Sequence, residues 1–277
     1  MTRLLVLNRM HLDEWPAEPV EAILNSLHGH PEIIGFTRQA PGPGETRRRG
    51  YDDNITDCFP GSRDGNREQR DAWTVTELAR SADLVLDIHG TKDADETFPF
   101  YGPAGRSSPL IRGTASLLGS DHALVIRAPH PAGVLRSYVG WDLAPGSPVL
   151  GQLPGWLASL AAGWIPAERA MAEYRYVAGI KESDAARLGL RRRYPPFARL
   201  PDSAMRTLAI STPAYAFSWN AERNRHTGYR GEVALPYRDH LPPAGGGVPG
   251  AGLRGSSAEG LERSSYECNR PDRRHIR

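Results

Sequence analysis

The chain has 277 residues, 39% hydrophobic and 24% charged, with a formal net charge of +2. That length holds one large domain or two smaller ones, and the near balance of charge excludes a dedicated nucleic-acid binder. Two cysteines far apart, Cys58 and Cys268, give neither a disulfide framework nor a thiolate zinc site. No apolar run is long enough to span a bilayer, and no basic start leads into a signal-type apolar core. A cytoplasmic protein with no membrane partner is the expectation; self-association into a homo-oligomer stays open.

In chain order, Thr2 to Leu7 is a short apolar run, read as a buried strand. A helix follows over Pro19 to Leu27, with Val20, Ile23, Leu24 and Leu27 on one face. Glu32 to Thr37 reads as a second strand, and the proline- and glycine-rich stretch Gln39 to Gly44 as a loop. Arg67 to Ala82 is a helix with Trp73, Leu78 and Ala79 facing inward. A strand from Leu84 to His89 comes next, then a helix over Pro109 to Leu118 and a strand over His122 to Arg127. Val134 to Leu143 contains another strand, and Pro154 to Ile165 is an apolar helix. Strands alternating with helices imply a parallel or mixed sheet covered on both faces.

The composition then changes. Ala172 to Ile180 alternates with a period of two, and Met205 to Ile210, Ala214 to Trp219 and Glu232 to Leu235 also read as strands. The expected organisation is an α/β domain over 1–167, a small β-rich domain over 168–240 and a disordered tail over 241–277. The tail is rich in Pro, Gly, Ser and Arg and cannot bury enough apolar surface to offset its ordering entropy.

Two places could carry chemistry. His11-Leu-Asp-Glu14 follows the first strand, and residues three apart at a turn or helix start share one side. His89 ends a separate strand, and functional sites of open α/β sheets lie beyond the carboxyl ends of strands. Two histidines and a glutamate form a common hydrolytic zinc set, with a fourth position left for water. Read alone, His11 and Glu14 would be a loop histidine and a first-turn glutamate, and His89 a strand-end histidine bonded to backbone.

Taken together, the motifs resemble the succinylglutamate desuccinylase/aspartoacylase family, acyl-amide hydrolases on a zinc-carboxypeptidase-like fold. That family reads G-T-H-G-N-E, then R-Y-x-D-x-D-L-N-R-x-F-P-G, then E-x-x-R-A, then D-x-H-G-T. The counterparts here are His11 and Glu14, Arg49 to Gly61, Glu68 to Ala72, and Asp87 to Thr91, in the same order. Val139-Gly-Trp-Asp142-Leu-Ala-Pro145 resembles the family's V-G-I-E-V-G-P. The resemblance covers about residues 3–240 and implies a mixed open sheet flanked by helices with a β-rich C-terminal part.

It also implies a site. Zn2+ would be held by His11, Glu14 and His89. Asp142 would stand where the family has its glutamate base, and Arg49 where an arginine stabilises the developing oxyanion. Tyr237 would correspond to a substrate-pocket tyrosine. Asp142 also has a plainer reading, as a structural acid paired with Arg127 or Arg136, and Glu232 is a lower-ranked base.

The departures bear on substrate. The family's D-L-N-R is Asn54-Ile-Thr-Asp57 here, so the Asn-Arg pair that grips a substrate carboxylate becomes Thr56 and Asp57. Arginine is a forked partner for carboxylates, and aspartate repels them. The implied activity is deacylation of a small N-acyl compound that is neutral or amine-bearing rather than acidic. Two other readings share the fold: a member that binds a ligand or partner without turnover, and a carboxypeptidase-like peptide hydrolase.

Overall fold

The structure is a computed structural model that describes residues 1–40, 50–90, 96–127, 130–180, 197–207, 215–216 and 231–236. Its strands are β1 (Leu4–Asn8), β2 (Ile33–Thr37), β3 (Leu84–Gly90), β4 (Phe98–Tyr101), β5 (His122–Val125), β6 (Tyr138–Leu143), β7 (Ala172–Ile180), β8 (Tyr215–Ala216) and β9 (Gly231–Pro236). They form one sheet in the order β2-β1-β3-β6-β4-β5-β7-β9-β8. β2, β1, β3 and β6 are mutually parallel. β4 runs antiparallel to β6, and β5 and β7 follow β4's direction. The carboxyl ends of β1, β3 and β6 therefore share one edge of the molecule with the amino ends of β4, β5 and β7.

Among the described residues, six α-helices accompany the sheet: α1 (Ala17–Ser26), α2 (Arg67–Ala79), α3 (Pro109–Ser116), α4 (Pro131–Val134), α5 (Val149–Ala161) and α6 (Asp202–Thr207). Alternation along the strands builds two cores. Leu4, Val6, Leu84, Leu86, Ile88, Val139 and Trp141 face α1, α3 and α5. Leu5, Leu7, Val85, Phe98, Phe100, Leu124 and Tyr138 face the other way, toward Ala72 and Val75 of α2 and the turn at Ile55, Cys58 and Phe59. Each fully buried aliphatic side chain contributes about 1.5–3 kcal/mol. No helix among the described residues is long and apolar enough to cross a membrane.

The mixed sheet flanked by helices agrees with the sequence expectation, and three local differences have physical causes. β4 escaped detection because Pro99 interrupts Phe-Pro-Phe-Tyr, and proline usually marks an edge strand. Helix α5 begins at Val149 rather than Pro154, which it carries in its interior. Met205 to Ile210, expected as strand, starts inside α6, whose Asp202 sits in its first turn, after Pro201, and is followed by good helix formers. β7, in the segment expected to form a β-rich unit over 168–240, pairs with β5 and continues the sheet. The loop at 41–44 and the tail at 241–277 lie outside the described residues.

One buried ion pair ties the second core to the edge where the parallel strands end. Arg38, at the end of β2, is 2% exposed, and Glu68, in the first turn of α2, is 0% exposed. Arg38 Nη2 donates to Glu68 Oε1 at 2.9 Å, Nε to Asp71 at 2.9 Å, and Nη1 to the Met10 carbonyl at 2.8 Å. Glu68 also accepts from the backbone N–H groups of Tyr51 at 2.8 Å, Asp52 at 3.2 Å and Asp53 at 3.4 Å. Burial opposes its ionisation, but the Tyr51 N–H, the Arg38 guanidinium and the Asp52 N–H outweigh that and hold the carboxyl below its ordinary value of 4.5. The stabilisation is therefore complete above pH 4.5 and is lost as pH falls through the lowered value. Glu68→Gln is expected to cost about 3 kcal/mol at pH 7, since it leaves the buried Arg38 with only the partly exposed Asp71 as counter-charge. In denaturant titrations the gap between wild type and variant should narrow steadily below pH 4.5; a gap that stays constant to pH 3 would refute this account.

Candidate metal centre

The chain turns sharply as it leaves β1. Arg9 takes a left-handed backbone, φ 57°, where the resembled motif opens with glycine. A side chain there costs roughly 1–2 kcal/mol. Two contacts offset it: Arg9 Nη2 donates to Glu21 at 2.8 Å and Nη1 to the Arg38 carbonyl at 3.2 Å. Asn8, fully buried, donates to the Ala17 carbonyl at 2.9 Å and so fixes the far end of the turn. Between these anchors, His11 and Glu14 are both buried and face one another.

His89 comes from β3, the neighbouring strand. Gly90 follows it for a steric reason, since a Cβ at that position would lie 2.2 Å from Pro16 and 2.6 Å from Trp15. Trp15 in turn donates to the Leu143 carbonyl at 3.1 Å, linking the His11–Glu14 turn to the end of β6. On the same face, Gly140 leaves room for the Phe100 ring, which a Cβ would meet at 2.1 Å. Phe100 packs against the His89 ring with centroids 5.4 Å apart.

Three donor atoms converge. Glu14 Oε1 lies 2.7 Å from His11 Nδ1 and 2.6 Å from His89 Nδ1, and the two Nδ1 atoms are 3.3 Å apart. His11, Glu14 and His89 are a group of buried residues whose ligand atoms could hold one metal ion. Ligands at about 2.1 Å in a tetrahedron sit about 3.4 Å apart. The histidine pair already has that spacing, and Glu14 need move outward by less than about 1 Å. The donor chemistry, two imidazoles and one carboxylate, fits zinc.

The outward nitrogens are also engaged, as metal-binding histidines require. His11 Nε2 faces Asn54 Oδ1 at 3.0 Å. His89 Nε2 lies 2.8 Å from Asp87 Oδ2, a close ionic contact without hydrogen-bond alignment. Asp87 is fully buried and also accepts from the Tyr138 hydroxyl at 2.5 Å. Burial disfavours charge on His89, but Asp87 and Glu14 more than compensate and hold its pKa well above 6.5. Burial likewise opposes ionisation of Glu14, yet His89 and His11 keep its carboxyl far below the usual range.

Asp142 is the cross-strand partner of His89 in the β3–β6 pair and of Phe98 in β4. Registered neighbours project to the same face, so Asp142 stands beside the cluster, half-buried. Thr56 is buried, and Asp57 closes the short 3-10 turn Ile55–Asp57, where it accepts from Asn54 Nδ2 at 3.1 Å. Glu232 lies in β9, four strands from β6. Arg49 and Tyr237 lie outside the described residues. Sequence reasoning overlooked Asn54, Tyr138 and Phe100 as neighbours of the site. The two-residue strand period could have placed Asp87 with His89, and Tyr138 with Asp142; nothing local signals Asn54, 43 positions from His11.

Solved structures share this arrangement of elements. The chain superposes on succinylglutamate desuccinylase from Chromobacterium violaceum with a TM-score of 0.60, over 87% of this chain and 86% of the other, at 18% identity. The chain has the succinylglutamate desuccinylase fold. The Vibrio parahaemolyticus desuccinylase gives 0.54 at 15% identity over 86% and 82% of the two chains. Murine aminoacylase 3 gives 0.51 at 10% identity over 85% and 96%. No protein-family model and no curated protein sequence matches the chain. At these identities the likeness to the desuccinylases is one of fold.

The electrostatics predict how a metal would enter. His89 is held protonated at neutral pH, and a metal-binding imidazole must be neutral. Zinc titrated into metal-free protein at pH 7 should therefore release about one proton per ion. Calorimetry in buffers of different ionisation enthalpy measures this; uptake without proton release would contradict the assigned charge state.

Proposed function

We propose that the protein is a zinc-dependent hydrolase that cleaves the amide bond of a small N-acyl compound. The observation that carries this reading is the convergence of Glu14 Oε1 on His11 Nδ1 and His89 Nδ1, at 2.7 and 2.6 Å, in a fold found in desuccinylases. A zinc ion held by these three residues supplies Lewis-acid polarisation of the carbonyl and a water of lowered pKa.

The chain's own groups divide the remaining work. Asp142 would accept a proton from the attacking water and pass it to the amine as the C–N bond breaks, a role supported by its register with His89. Asp87 and Asn54 hold the two imidazoles from behind. Arg49 is assigned, by the motif it begins, to the developing oxyanion, and Tyr237 to the substrate pocket. The catalytic work falls to residues 1–167, with 168–240 completing the pocket. Neither Thr56 nor Asp57 offers a cation for a substrate carboxylate, which supports a neutral or amine-bearing substrate over an acidic one.

Ligand binding without turnover is the second reading, favoured by aspartate at 142 where the resembled motif carries glutamate. Zinc analysis and amine release from a panel of N-acyl compounds separate the two. The purified protein is expected to carry one zinc, and His89→Ala to lose it. Asp142→Asn should keep the metal and lose about 10²- to 10⁴-fold in turnover. Full activity in Asp142→Asn would remove that residue from the mechanism; a wild type that holds zinc but releases no amine would favour the binding reading.

A further inference from the structure

The side chains behind His11 form a chain of hydrogen bonds that ends on a carboxylate. His11 Nε2 faces Asn54 Oδ1 at 3.0 Å, and Asn54 Nδ2 donates to Asp57 Oδ2 at 3.1 Å. Backbone geometry makes the arrangement compact. Asn54 precedes the 3-10 turn Ile55–Asp57 in an extended conformation, and the Asp57 N–H donates back to the Asn54 carbonyl at 2.9 Å. Ile55 and Thr56, fully or almost fully buried, pin the turn to the core beneath it.

An amide between an imidazole N–H and a carboxylate has one acceptable orientation. Its oxygen must face the imidazole and its NH2 the carboxylate. Turned over, it would set NH2 against N–H and oxygen against carboxylate, two repulsive contacts. Asp57 therefore dictates which way Asn54 points. Asn54 Oδ1 in turn favours the His11 proton on Nε2, which would leave the Nδ1 lone pair for a metal ion bound between His11, Glu14 and His89. An anionic terminus also polarises the bonds along the chain.

We propose that Asp57 is a positioning residue for the metal ligand His11, acting through Asn54, rather than a discriminator of substrate charge. This rests on the reading of His11, Glu14 and His89 as a metal centre. It also links two of this chain's departures from the resembled D-L-N-R pattern. The acid missing at 54 reappears at 57, one hydrogen bond further from the imidazole.

The experiment is zinc affinity of the full-length protein, measured by competition with a chromophoric chelator, with the visible spectrum of the cobalt-substituted protein as a second readout. Asp57→Ala, at a half-buried turn position, should bind zinc about tenfold more weakly than wild type. Asp57→Asn should fall between them, because it keeps an acceptor and loses the charge. The double variant N54D/D57A sets a carboxylate directly against His11 and should restore wild-type affinity and the wild-type cobalt spectrum. Equal affinities for Asp57→Ala and wild type would overturn the proposal, whatever happens to KM for charged substrates. So would a weakened Asp57→Ala that N54D/D57A fails to rescue, since that is the signature of a merely structural role. Failure of wild type to bind either metal would overturn the metal centre itself, and this proposal with it.

Discussion

The carboxylate of Glu68 is the point from which the region around the metal centre is held. It is 0% exposed and accepts hydrogen bonds from one guanidinium and three backbone amides. Arg38, its partner, spends another donor on the Met10 carbonyl, next to His11. One buried ion pair thus fixes both the turn that carries His11 and Glu14 and the loop that carries Asn54. A buried pair is a modest source of net stability compared with an apolar pair of the same volume. Its value here is directional: fixed donors and acceptors at one point locate two loops that apolar packing alone would leave free to slide.

The same economy governs charge at the centre. Glu14 and Asp87 bring two carboxylates into buried surroundings with the His89 imidazole between them, and His11 lies on the other side of Glu14. With His89 protonated, the metal-free cluster lowers its own excess negative charge. On the proposed reading, a divalent cation would take over that role by displacing the proton. Tyr138, donating to Asp87 from the next strand, is kept neutral by burial and by the Asp87 carboxylate, and so remains a donor.

Much of this was legible in the sequence, for a reason that also marks the limit. The ligands sit at strand ends and one turn apart, and periodicity places such positions. The alternation of apolar strands and helices gave the mixed sheet, and His11, Glu14 and His89 meet as their spacing implied. Interactions between loops had no such signature. Arg38 and Glu68 are 30 positions apart, His11 and Asn54 43. Neither pairing can be read from the linear sequence. Asp57 could be read only against the arginine it replaces, which suggested a role in substrate choice; its bond to Asn54 points inward instead. β4 was hidden by Pro99, although its antiparallel pairing with β6 is what brings Phe98 and Phe100 to the centre.

The pairing of β6 with both β3 and β4 bears on the shortened side chain at 142. Adjacent strands lie about 4.8 Å apart, and Asp142 is the registered neighbour of His89 on one side and Phe98 on the other. Its side chain therefore starts one strand spacing from that of His89 and on the same face. Aspartate gives up about 1.5 Å of reach relative to glutamate, one C–C bond. It gains rigidity, having one fewer rotatable bond to fix when it must meet a water. Two contacts flank this end of the sheet: the Phe100 ring packs on His89, and Trp15 is bonded to the Leu143 carbonyl just beyond Asp142. On the proposed reading of Asp142 as the base, strand register rather than side-chain length sets its distance from His89.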